Sequence, residues 1–255
     1  MAHAQAQCAA GPRTLGSEAH AKTRQYIGET LGQAGWQVEE QAFTFRGETI
    51  RNLIGRRGTG EDHPVIIGAH FDTRPIADHD AVKRDEPIIG GNDGASGVAV
   101  LLELARALPK DTSPPVWLAF FDAEDLGDLG GWPFSVGATY LAQSLTVTPT
   151  AVVVLDMIGD ADLQIYKEGN SDPDLTDQIW EVAAELGYRD AFIPRQKWTM
   201  IDDHIPFRQQ GFTAVDLIDF DYPYWHTRAD TCDKISAESM EKVGRVLQEW
   251  LVSRQ

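Results

Sequence analysis

The reading of the fold turns on Pro115–Gly127, PVWLAFFDAEDLG. An unbroken apolar run, VWLAFF at 116–121, gives way to three carboxylates within four positions: Asp122, Glu124 and Asp125. A run of this length, bounded by proline and acids, suits a strand buried on both faces. Crowded acids at the end of such a strand repel one another and lose hydration. A solvated loop, a charge pair or a metal must make the arrangement tolerable.

Outward from this strand the same pattern repeats. PVIIGAH (64–70), TAVVVLDMIG (150–159) and TAVDLIDF (213–220) are further apolar runs of strand length. Between and around them lie segments of helical periodicity: Ser17–Gly35, Ser96–Leu108, VGATYLAQSL (136–145), Asp172–Gly187 and a closing helix over 236–255. The chain opens on MAHAQAQCAAGPR, which also reads as helical and starts abruptly, as if a native leader were missing. WQVEEQAFTF (36–45) and ETIRNLIGRR (48–57) alternate instead, and are expected as an antiparallel edge. Strands alternating with amphipathic helices imply one α/β domain over 1–255, with a central mixed, mostly parallel twisted sheet flanked by helices on both faces. There is no internal repeat and no linker long enough to divide the chain.

Composition sets the outer bounds. The 255 residues are 42% hydrophobic and 24% charged, an ordinary globular balance. A net charge of -17 argues against nucleic acid or anionic membrane as a partner. No apolar run approaches the roughly 18 residues of a membrane span. The two cysteines, Cys8 and Cys232, allow one bridge or two free thiols, and do not fix the compartment.

In open α/β sheets ligands bind beyond the carboxyl ends of the strands. The strand ends here carry His70 in GAHFDTRP, Asp122, Glu124 and Asp125 in FFDAEDLG, Asp156 in VVVLDMIG, and His226 in DFDYPYWHT. Asp93, in GGNDGASG, opens the helix between the first two. Taken singly, Asp93 reads as a helix cap, His70 as a hydrogen-bonded core histidine and His226 as a packed loop residue. Their joint fall at strand ends points to one crevice. Mixed imidazole and carboxylate donors suit zinc, whereas calcium or magnesium would want oxygen alone. The chain lacks a G-x-S-x-G elbow, a G-x-x-x-x-G-K-[ST] loop and a G-x-G-x-x-G fingerprint.

GAHFDT, GGNDGASGVAVLLELAR, FFDAEDLG, LDMIGD and PYWHTRADT, in this order and spacing, resemble the zinc aminopeptidase family that also contains the animal-type glutaminyl cyclases. The resemblance implies a zinc-exopeptidase-like fold and a catalytic domain acting on peptide or protein N-termini. In a two-zinc aminopeptidase it makes His70, Asp93, Asp125, Asp156 and His226 ligands, with Asp93 bridging. In a cyclase it leaves one zinc on Asp93, Asp125 and His226, and His70 and Asp156 persist without being ligands. Either way Glu124 corresponds to the proton carrier. The usual pair is Glu-Glu; here Asp125 is one methylene shorter.

Three features favour the cyclase branch. Asp202, before DHIPF, corresponds to an aspartate that assists proton handling. Trp225, directly before His226, corresponds to an indole walling the substrate pocket. Trp132 resembles a second pocket tryptophan at altered spacing. The resemblance therefore implies conversion of N-terminal glutamine to pyroglutamate with release of ammonia. Aminopeptidase and silent peptide-binding module are the alternatives. The cyclases' cysteine before the first histidine is Ala69 here. Relatives of this kind are secreted or envelope-associated, so an extracellular or periplasmic setting is expected. The resemblance leaves oligomeric state open.

Overall fold

The apolar runs pair as their burial demands. In the computed structural model, which describes residues 1–58, 63–111 and 114–254, the strands are β1 (Gln37–Phe45), β2 (Glu48–Arg57), β3 (Val65–His70), β4 (Val116–Phe121), β5 (Ala151–Asp156), β6 (Ile165–Lys167), β7 (Phe192–Gln196) and β8 (Ala214–Ile218). The helices are α1 (Ala2–Ala10), α2 (Glu18–Gln33), α3 (Ala95–Ala107), α4 (Val136–Ser144), α5 (Pro173–Glu185), α6 (His204–Gln209) and α7 (Ala237–Val252). The main sheet has the order β1-β2-β4-β3-β5-β8. Strands β4, β3, β5 and β8 are parallel, and the β1–β2 hairpin joins antiparallel at the β4 edge.

Every residue of β3, β4 and β8 is buried, and the strand period of two divides them between two cores. Ile67, Leu118, Phe120, Val153 and Leu217 face a layer built with α2, α3, α5 and α7. Ile66, Trp117, Phe121, Val152 and Val154 face the other, with residues of α4 and α6. Close approach of α3 to the sheet depends on Gly97, where a Cβ would stand 2.6 Å from the Leu155 carbonyl oxygen.

Three short elements had no sequence signal. β6 is three residues long, β7 contains Pro194, and together they form a separate parallel pair. α6 is a single buried turn and a half after Asp203. The closing helix ends at Val252, short of the expected 255, and Gln255 lies outside the described residues. Cys8 and Cys232 form a disulfide, which settles the alternative left open by the sequence. Among the described residues, no helix is long and apolar enough to cross a membrane.

Candidate active site

Register brings the polar strand ends to one level. His70 pairs with Phe121 across β3–β4, Gly68 pairs with Val154, and Asp156 pairs with Ile218. His70, Asp156 and the acids following Phe121 therefore leave the sheet along one edge. The backbone turns there in ways that side-chain-bearing residues rarely adopt: Ala123, Met157 and His226 all have positive φ, at 57, 48 and 53°.

Two donor sets result. His70, Asp93 and Asp156 each offer an atom within 4.8 Å of the others, and so do Asp93, Asp125 and His226. Asp93 belongs to both. Its Oδ1 lies 3.1 Å from His70 Nε2, and its Oδ2 lies 3.7 Å from His226 Nε2. His70 Nε2 is also 3.3 Å from Asp156 Oδ1, and His226 Nε2 is 3.1 Å from Asp125 Oδ1. All five side chains are buried or nearly so.

These residues fit a zinc ion. Asp93 Oδ2 and both oxygens of Asp125 are buried without a hydrogen-bond donor aligned on them. Buried carboxylate oxygens left this way are costly unless a cation meets them. The donors are imidazole and carboxylate, the chemistry zinc prefers.

Hydrogen bonds to the backbone hold the loops. Asp72 accepts from Glu124 N–H and Asp125 N–H, both at 3.1 Å, one on each carboxylate oxygen. Asp230 accepts from Asn92 N–H at 2.8 Å and Asp93 N–H at 3.2 Å, and from the Tyr222 hydroxyl. Asn92 in turn ties this loop to Met157 and Gly159, beside Asp156. Arg13, fully buried, donates to the carbonyls of Phe71, Ile89 and Gly90 at 2.6–2.9 Å and sits nearest the Asp230, Asp93, Asp72 and Asp125 charges. Burial lowers its pKa to about 10, with those aspartates opposing, so it stays cationic at neutral pH. None of Asp72, Asp230 and Arg13 was singled out from sequence. Asp72 and Asp230 lie within GAHFDT and PYWHTRADT, but their work is to accept from backbone N–H groups, as that of Arg13 is to donate to carbonyls, and nothing in the residue types announces it.

Glu124 belongs to neither donor set. Burial, reinforced by Asp125, Asp202 and Asp203 and opposed by His70, pushes its carboxyl well above the usual range. Asp156 is raised to about 7, first by burial and then by the Asp202 charge. Asp202 thus stands close to both. Asp122, the third acid of the opening stretch, turns away from the donor sets: it pairs with His20 Nε2 at 2.7 Å and accepts from Arg51 N–H at 2.8 Å.

The two tryptophans separate. Trp225 lies against His226 with ring centroids 4.0 Å apart, and it also packs on His79 and Phe220. Trp132 sits in another cluster with Leu126 and the β1–β2 hairpin, 5.2 Å from Phe45 and beneath Arg46. The structure gathers His70, Asp93, Glu124, Asp125, Asp156, Asp202, Trp225 and His226; it does not join Trp132 to Trp225.

The glutaminyl cyclase of Tannerella forsythia has the same fold, with a TM-score of 0.92 and 31% identity over 100% of this chain and 97% of that one. A leucine aminopeptidase precursor from Bacteroides thetaiotaomicron matches at a TM-score of 0.92 and 29% identity, over 100% and 96%. In sequence, the glutaminyl-peptide cyclotransferase of Boiga dendrophila is 26% identical over 92% of this chain and 76% of its own length. A family model, peptidase family M28, matches residues 52–251. Strand-end donors, fold and sequence agree: the chain belongs to peptidase family M28.

Proposed function

We propose that this protein is a zinc-dependent glutaminyl-peptide cyclotransferase, converting N-terminal glutamine of peptides to pyroglutamate with loss of ammonia. The observation that carries this reading is the Trp225 indole lying 4.0 Å from His226, beside the Asp93–Asp125–His226 set. An aromatic wall at that place narrows the approach to the ligands and favours a reaction that must exclude water. Fold neighbours that are glutaminyl cyclases support it.

Asp93, Asp125 and His226 would hold the zinc, which supplies Lewis acidity to the side-chain amide of the substrate. Glu124, off the donor sets and buried, takes a proton from the substrate's α-amine and delivers it to the departing ammonia. Asp202 and Asp156 flank that route; Asp156, beside His70, is positioned to hold the amine. Trp225 packs on the glutamine side chain and keeps water away. Nucleophile and electrophile belong to one residue, so holding it folded back supplies much of the rate. Trp132 is a candidate for an outer wall on the loop that leaves Asp125. The disulfide fits an oxidising compartment, and we place the protein outside the cytosol on that ground.

A second reading has its own observation. Asp93 faces both donor sets, as a bridging ligand of two zincs in an aminopeptidase would. Zinc titration of chelator-stripped protein separates the two. Ammonia release from a Gln-initiated peptide, saturating at one zinc per chain with no hydrolysis of an aminoacyl anilide, supports the cyclase. Anilide hydrolysis that needs two zincs per chain, without ammonia release, supports the peptidase and contradicts our reading.

A further inference from the structure

The side of His226 turned away from Asp93 and Asp125 is braced by the loop that carries Arg74, Asp78 and His79. Asp78 Oδ1 lies 3.3 Å from His226 Nδ1, within ion-pair distance but outside hydrogen-bond alignment, while Nε2 of the same ring faces Asp125. Both oxygens of Asp78 are held by one guanidinium: Arg74 Nε donates to Oδ1 at 2.9 Å and Nη2 to Oδ2 at 2.6 Å. Arg74 Nη1 donates to the carbonyls of Gly127 at 3.0 Å and Asp125 at 3.3 Å. Arg74 is buried, so packing fixes this fork.

The same loop grips the backbone around His226. His79 N–H donates to the His226 carbonyl at 3.2 Å, Arg228 N–H donates to Asp80 Oδ2 at 3.1 Å, and Arg228 pairs with Glu86 at 2.7 Å. His226 has a positive φ of 53°, a strained conformation that persists only where surrounding contacts impose it. These contacts impose it.

Asp78, His79 and His226 could be taken for a third metal set, since each offers an atom within 4.8 Å of the others. The Arg74 cation argues against that. It occupies both Asp78 oxygens and would repel an ion placed there, while the His79 ring packs edge-on against Trp225 at 4.4 Å.

We infer that Asp78, locked by Arg74, is the positioning residue of His226: it accepts the Nδ1 proton and so presents Nε2, unprotonated, to the metal. The inference rests on reading Asp93, Asp125 and His226 as zinc ligands. A carboxylate behind a ligating imidazole fixes its tautomer and orientation and raises its basicity. Through the Arg74 fork the ring is also coupled to the backbone of Asp125. Two ligands on distant segments thereby share one support.

The test is zinc affinity, measured by competition with a chelator of known affinity on the folded full chain, together with the visible absorption of the cobalt-substituted protein. Asp78→Asn loosens the fork on buried Arg74 and should melt somewhat lower when metal-free, so affinity is read well below that transition, where it is folded. We expect it to bind zinc about 10- to 100-fold more weakly and to alter the cobalt bands. Asp85→Asn, an exposed carboxylate of the same loop, should stay within about threefold of wild type. Asp78→Asn with wild-type affinity and an unchanged cobalt spectrum overturns the inference, as does an equal loss in both variants. If His226→Ala keeps wild-type affinity, or wild type binds no zinc, the ligand reading itself fails and the inference with it.

Discussion

Glu124 and Asp125 are adjacent in sequence yet face different tasks, and Asp72 is what allows it. By accepting one N–H from each, it sets the loop so that Asp125 turns to His226 while Glu124 stays outside both donor sets. Glu124→Gln should therefore lower turnover at least about 100-fold while zinc content stays at wild-type level, checked by metal analysis and ammonia release. Turnover near wild type would remove Glu124 from the proton route. Arg13 makes a separate prediction. Arg13→Met leaves the Phe71 and Ile89 carbonyls without donors and several aspartates without a counter-charge, so it should destabilise the fold by about 3–5 kcal/mol in urea denaturation. At this scale the donors were legible, because His and Asp at the ends of apolar runs break a pattern. Asp72, Asp230, Asp78 and Arg13 were not, because what they touch is brought near only by the fold.

Among the elements, the long ones were readable and the short ones were not. β3, β4, β5 and β8 announce themselves as apolar runs, and α7 as an amphipathic helix capped by Ser236, whose side chain accepts from Glu238 and Ser239 N–H. β6, β7 and α6 are too brief to show a period; a buried glutamate helps hold them instead. Glu168, just past β6, accepts from Asn170, Ser171 and Met200 N–H at 2.8–2.9 Å and pairs with His204 at the start of α6. Burial would raise its pKa, but the His204 contact and the N–H bonds outweigh it and hold the carboxyl at about 2, against an ordinary 4.5. On acidification the unfolded chain takes up this proton before the folded one. The stabilisation is therefore full above about pH 5 and fades as pH falls towards 2. Glu168→Gln should cost about 2 kcal/mol at neutral pH, and the gap from wild type should shrink steadily below pH ~4 in denaturant midpoints. A gap constant with pH would contradict it.

Over the whole molecule, the mostly parallel sheet and its two-faced cover follow from the alternation of strands and helices, whereas neither the strand order nor the disulfide between cysteines 224 residues apart could be read from it. That bridge pins α1 to the chain just beyond His226, and it closes nearly the entire length into one loop. Cys8→Ser with Cys232→Ser should lower stability by about 2–5 kcal/mol, read from denaturation of oxidised wild type and the double variant side by side. The central claim concerns what the assembled site does to a peptide. The most direct test is the mass of a Gln-initiated peptide after incubation with the zinc-loaded protein. The account predicts a product lighter by one ammonia with every residue retained, and no such product with Glu124→Gln. A peptide shortened by its N-terminal residue, with no cyclised form, would contradict it.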